Sequence, residues 1–142
     1  MLKGIEHVGL SVLNLDRSIS FYCDVLGLKL ERIIECTVDK GLGDVVGMLG
    51  CTARIAHLQS EKYMLELFEY TDPRGRPIPE DAKQADHGFI HIGFTTPDMQ
   101  ADYPLLKKKG VKFFNTPVEF RPGVWVVYFY GPDGEVCELR QT

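Results

Sequence analysis

Apolar and polar residues alternate over positions 6–12, so a strand there sets His7, Gly9 and Ser11 on one face and Val8, Leu10 and Val12 on the other. The pattern returns at positions 90–96, with His91, Gly93 and Thr95 in the polar places. After the first copy, Asn14, Leu15 and Asp16 read as a turn with Asp16 as a helix N-cap. Ile19, Tyr22, Val25 and Leu26 then recur at helical spacing up to Gly27, a helix stop. Residues 28–38 alternate as a second strand around Leu30, Ile33 and Ile34. Gly41, Gly43, Gly47 and Gly50 mark a loop or bulge, and residues 52–58 and 62–70 read as a hairpin. After the second copy, Pro97 and Asp98 repeat the turn and cap. Met99, Tyr103 and Leu106 form a stripe in which Pro104 is expected to kink or delay the helix, and Gly110 ends it. Strands follow at 111–114 and 124–130, with a loop at 115–123 between them, and Gly131, Pro132, Asp133 and Gly134 turn into a last strand. Each half reads strand, helix, three strands.

The polar stretch 71–86 carries three prolines and reads as a linker, giving module 1 over 4–70 and module 2 over 87–142 within one domain, 1–142. With 142 residues, 44% hydrophobic, the chain can bury one sizeable core, whereas a half alone would be marginal, so the halves need each other or a second subunit. Sixteen basic residues against twenty acidic ones leave a net charge of -4 and no polybasic stripe, which argues against nucleic acid and anionic lipid as partners. The amino-terminal stretch has no apolar run like a signal peptide and no window approaches a membrane span, so the expected location is the cytoplasm. Cys23, Cys36, Cys51 and Cys137 form no C-x-x-C and read as reduced and structural.

A second pairing carries the candidate chemistry. Glu66 stands between Leu65 and Leu67, and Glu138 between Cys137 and Leu139, each pointing away from its apolar neighbours. A single His or Glu in such a strand is ordinarily a solvated or hydrogen-bonded group. Recurrence at matching places in two halves is less easily accidental: if the halves pack symmetrically, two imidazoles and two carboxylates can meet as a metal ligand set. Arg54, Lys62, Arg121 and Arg140 are candidate clamps for an anionic substrate group, each weighed against an ordinary surface role. His57 and His87 read as structural or exposed, and Trp125 with Tyr128, Phe129 and Tyr130 as core and cleft wall.

Four stretches carry a resemblance: His7-Val-Gly-Leu-Ser-Val with Phe21-Tyr-Cys-Asp-Val-Leu-Gly-Leu, then Leu65-Glu-Leu-Phe, then His91-Ile-Gly-Phe, and finally Tyr128-Phe-Tyr-Gly-Pro-Asp-Gly leading to Glu138-Leu. Over residues 4–140 the chain resembles the vicinal-oxygen-chelate superfamily of glyoxalase I, methylmalonyl-CoA epimerase, extradiol dioxygenases and bleomycin- or fosfomycin-resistance proteins. The resemblance implies an α+β fold of two βαβββ modules in a curled mixed sheet with a U-shaped cleft, usually in a homodimer. It places the four metal ligands on His7, Glu66, His91 and Glu138, for zinc, nickel, cobalt or manganese, or for iron in a dioxygenase. It further implies a lyase or isomerase acting on a small hydroxy-carbonyl, thioester or hemithioacetal through an enediolate, with Glu138 as base and Glu66 as its opposite-face partner. An epimerase, an extradiol-type dioxygenase and a ligand-sequestering protein are the alternatives. Glu66 sits where such epimerases carry Gln, which tilts the reading toward glyoxalase I.

Overall fold

The computed structural model describes residues 3–38 and 41–142; the first two residues of the amino-terminal stretch read above lie outside them. The chain divides into two compact units, residues 1–77 and 78–142. The first unit contains β1 (His7–Ser11), α1 (Leu15–Ser20) running on into a π-helical turn (Phe21–Val25), β2 (Lys29–Cys36), α2 (Leu42–Val46), β3 (Thr52–Gln59) and β4 (Met64–Asp72). The second contains β5 (Ile92–Thr95), α3 (Met99–Lys108), β6 (Lys112–Phe113), β7 (Val118–Arg121), β8 (Val124–Tyr130) and β9 (Val136–Gln141).

In the first unit the strand order is β1-β4-β3-β2, with β1 parallel to β4 and the other pairs antiparallel. Alternation along β3 and β4 sends Ala56, Leu58, Leu65 and Leu67 to one face, where they bury with Leu15 and Tyr22 of the helical segment. Glu66 and Phe68 occupy the other face. Arg54 fastens the helix side: its guanidinium pairs with Asp16 of α1, Glu35 of β2 and Glu69 of β4. In the second unit the order is β5-β9-β8-β6, and β7 also pairs with β8. Phe129, Cys137, Val127 and Leu139 bury with Met99 and Leu106 of α3.

Both units tie the helix to the sheet alike. The amide of Leu15 donates to Glu69 Oε2 at 3.0 Å, and the amide of Met99 to Gln141 Oε1 at 2.6 Å. Leu15 and Met99 follow His7 and His91 by eight residues, and Glu69 and Gln141 each follow their strand glutamate by three. The Val12 amide donates to the Phe68 carbonyl, and the Thr96 amide to the Arg140 carbonyl, in the same relation.

The expectation of a curled mixed sheet with a U-shaped cleft is corrected. The described strands form two separate, mostly antiparallel sheets with one parallel pair each, and among the described residues neither sheet closes on itself. Alternation of side chains specifies the faces of a strand, not the curvature of the sheet it joins. Smaller corrections follow. The N-cap of α1 is Asn14, whose Oδ1 accepts the Arg17 amide at 2.8 Å, while Asp16 lies in the first turn and is taken by Arg54. The glycine-rich stretch holds a short helix, α2, between Gly41 and Gly47 in left-handed conformations; Gly43 sits where a Cβ would come within 2.6 Å of the Met48 carbonyl. Residues 115–123 contain β7 in addition to loop, so the second unit has four strands after its helix. Pro104 lies within α3 without ending it, on the exposed side. Among the described residues no helix is long and apolar enough to cross a membrane.

Candidate functional site

The strand registers put the expected site residues in matching places. In the first unit Gly9 of β1 lies across the parallel pair from Glu66 of β4, and His57 of β3 lies across the antiparallel pair on the other side. In the second, Gly93 of β5 lies across from Glu138 of β9, with Tyr128 of β8 on its other side. His7 of β1 comes two residues before Gly9, on the same face, and His91 comes two before Gly93 but lies just ahead of β5, which begins at Ile92, not within the strand as expected. His7 Nε2 thereby stands 3.2 Å from Glu66 Oε2, and His91 Nε2 stands 3.5 Å from Glu138 Oε2. The space over each glycine is open: a Cβ on Gly93 would meet nothing within 4 Å, and one on Gly9 only the edge of Phe68 at 3.8 Å.

His7 is set for ligation by its other nitrogen. Glu6 Oε2 lies 2.6 Å from Nδ1, and since a carboxylate accepts, Nδ1 carries the proton. In the neutral ring Nε2 is then a bare lone pair facing the Glu66 carboxylate, two electron-rich groups turned toward one another. A second proton or a cation relieves that opposition. The hydrogen bond that His7 donates to Glu6 and the nearby Glu66 charge accordingly raise the His7 pKa above the ordinary imidazole value, against partial desolvation. Two ligands each about 2.1 Å from one ion at about a right angle stand about 3 Å apart, so the separations in both pairs suit adjacent ligands of a divalent metal. A carboxylate on the far ring nitrogen is also the usual support of a metal-bound histidine. Among the described residues, however, no three His, Cys, Asp or Glu side chains gather to hold a metal ion. The expected four-residue set is seen as two pairs, one in each unit.

The neighbours of the two glutamates differ. Glu66 accepts at Oε1 from His57 Nε2 at 2.9 Å, and the buried His57 ring accepts at Nδ1 from Arg32 Nε at 2.9 Å. Glu138 has the Tyr128 hydroxyl, whose pKa is raised by burial first and then by the charge and hydrogen bond of Glu138. The Tyr128 ring also lies 5.1 Å from that of His91, and Phe114 stands edge-on to it at 5.8 Å. His57, Arg32, Tyr128 and Glu6 thus neighbour the candidate site residues; the sequence reading passed over Arg32 and Glu6, took His57 as structural or exposed and Tyr128 as core and cleft wall. Only register could have found the first three, because His57 and Tyr128 face the glutamates from adjacent strands and Arg32 faces His57 from the strand beyond.

The arginines divide. Arg54 lies on the helix side of its sheet, opposite in face to Glu66, and is engaged by three carboxylates. Arg121 ends the exposed edge strand β7. Arg140 lies two residues beyond Glu138 on the same face, its buried Nε without a hydrogen-bond partner among the described residues. His87 lies before β5, outside any strand. A groove of about 280 Å³ beside α3, lined by Tyr103, Lys107, Val111 and Phe113, opens on the helix side of the sheet, away from Glu138. Cys23, Cys36, Cys51 and Cys137 form no disulfide among the described residues, and burial pushes the Cys23 thiol up, away from thiolate chemistry.

Residues 4–139 match the family model of the Glyoxalase/Bleomycin resistance protein/Dioxygenase superfamily. The chain is 30% identical to the uncharacterized protein YwbC of Bacillus subtilis (strain 168), covering 99% of each. It is 30% identical to a probable lactoylglutathione lyase of Synechocystis sp., over 96% of this chain and 93% of that one. The structure of a glyoxalase family protein from Bacillus cereus superposes with a TM-score of 0.87 at 23% identity, covering 99% of this chain and 94% of that one.

Proposed function

Because the chain belongs to the Glyoxalase/Bleomycin resistance protein/Dioxygenase superfamily, we propose that it is a metal-dependent lyase or isomerase of the glyoxalase type. Its substrate is a small hydroxy-carbonyl, thioester or hemithioacetal. The observation that carries this reading is the repeated pair, His7 with Glu66 and His91 with Glu138, each with a glycine across the strand pair from its carboxylate. In this reading His7, Glu66, His91 and Glu138 hold one divalent ion: zinc, nickel, cobalt or manganese. When bound, such an ion would supply Lewis-acid polarisation of the substrate carbonyl and electrostatic stabilisation of an enediolate. The Glu138 carboxylate accepts the proton of the neighbouring carbon and returns it, Glu66 faces the substrate from the other side, and the Tyr128 hydroxyl orients Glu138 between the two events. The relation to a probable lactoylglutathione lyase supports a hemithioacetal among the candidate substrates. Four cysteines without a disulfide among the described residues suit a reducing cytoplasm, and a homodimer belongs to the same reading, to be measured by sedimentation.

Deuterium exchange tests the chemistry. Hemithioacetals, branched acyl thioesters and hydroxy-ketones are incubated in deuterated water with the metal-loaded protein and followed by proton NMR, with an oxygen electrode in parallel. Exchange of a carbon-bound proton without oxygen uptake is expected. Glu138→Gln should lower that exchange by about 100-fold or more, the range for loss of a positioned base, while metal binding persists in part. Oxygen uptake with a catechol and iron, with no exchange on any carbonyl substrate, would replace this reading with a dioxygenase.

A further inference from the structure

Glu66 and Glu138 hold matching places but are supported by different chemistry. Across the first sheet one row runs Gly9, Glu66, His57 and Arg32; across the second it runs Gly93, Glu138 and Tyr128. Arginine is a permanent donor, so Arg32 Nε–H fixes Nδ1 of His57 as the acceptor, and the ring proton must sit on Nε2. That proton is donated to Glu66 Oε1, which leaves Oε2 as the oxygen facing His7. His57 is 5% exposed, so its bond to Glu66 is largely shielded from water, while Arg32 forms the exposed end of the chain. On the equivalent side of Glu138, the described residues place the Tyr128 hydroxyl, itself only partly buried.

We propose that Arg32 and His57 are positioning residues that hold Glu66 as a fixed, one-oxygen metal ligand through Oε2. This inference rests on the metal reading above.

The test uses cobalt(II), whose visible spectrum reports ligand geometry, with the full-length wild type and the variants His57→Leu, His57→Gln and Arg32→Met. Loss of a supporting partner costs a metal site about 10- to 100-fold in affinity, so His57→Leu should weaken cobalt binding in that range and alter the spectrum. His57→Gln should restore affinity to within a few-fold of wild type, since its amide can donate to Glu66 while its carbonyl accepts from Arg32. Arg32→Met should fall between. In metal-free wild type, imidazole nitrogen-15 shifts should show His57 protonated at Nε2 and bare at Nδ1. Wild-type affinity and spectrum in His57→Leu would overturn the proposal, as would a glutamine variant no better than leucine or an Nδ1-protonated His57. A wild type that binds no cobalt would overturn the metal reading and this proposal together, whereas cobalt bound normally by wild type and His57→Leu alike would sink the proposal alone.

Discussion

Gly93 lies across a strand pair from Glu138, and an added Cβ would meet no atom within 4 Å. Its backbone lies outside the left-handed region, so a β-branched residue fits the strand. Gly93→Val should therefore change stability by less than about 1 kcal/mol, the span of strand preferences. Its methyls would stand beside Glu138, so cobalt affinity should fall at least tenfold; thermal melting and a metal titration on the same preparation separate the two effects. At this scale the sequence was only partly readable. His7, Glu66, His91 and Glu138 stood out because each recurs in a repeated local pattern. His57 did not, because a histidine among Ala56 and Leu58 looks the same whether it points at solvent or at a carboxylate on the next strand; the register that decides is set by β3 and β4 together. Tyr128 was hidden likewise, one aromatic in a run of three. Asn14 and Asp16 are both good caps, and only the Arg54 guanidinium, brought from a distant strand, takes Asp16 out of contention.

The helices α1 and α3 are held at their amino ends by side chains of the same strands that carry the glutamates. Through β4, displacement of α1 bears on Glu66. Arg54 is the larger fastening, since it joins α1, β2 and β4 at once; Arg54→Met should cost roughly 1 to 2 kcal/mol, a few hydrogen bonds between charged groups discounted for partial exposure, read by urea denaturation. Its hydrogen bond and charge hold the Asp16 carboxyl below the ordinary carboxylate value. A depressed folded-state pKa means that the contribution is present above the unfolded value and fades as pH falls through the lowered one. The difference in denaturation midpoint between wild type and Asp16→Asn should thus be constant near neutrality and shrink under acid conditions below about pH 4. A difference that grew with acidification would reject the pairing. Element order was legible because glycines and caps punctuate the apolar pattern, as at Gly27 and Gly110. The strand β7 was not, since its residues are all exposed and its pairing with β8 supplies what local alternation lacks. Pro104 was expected to disturb α3, but its missing amide faces the exposed side, where water can satisfy the Gln100 carbonyl.

At the scale of the molecule, duplication was readable and sheet curvature was not, because repeated strands announce themselves in sequence whereas the shape of a sheet follows from register irregularities such as those at Leu30 and Arg32, Thr52 and Ala53, and Glu119 and Arg121. The duplicated pairs make a quantitative demand. A pair of one imidazole and one carboxylate leaves most of a divalent ion's positions to water, whereas two imidazoles and two carboxylates fill four of them. If the proposed reading holds, wild type binds one ion per chain, and His7→Ala and His91→Ala each abolish tight binding, not half of it. Stability gives a second readout: metal at about 100 times its dissociation constant adds about 2.7 kcal/mol. For a chain of this size that raises the melting temperature by roughly 5 to 10 °C. The shift should appear in wild type on adding metal, vanish on chelation, and be absent in both single variants. Two ions per chain, with each variant retaining one and about half the thermal shift, would mean that the pairs act separately, and the shared-ion reading would fail.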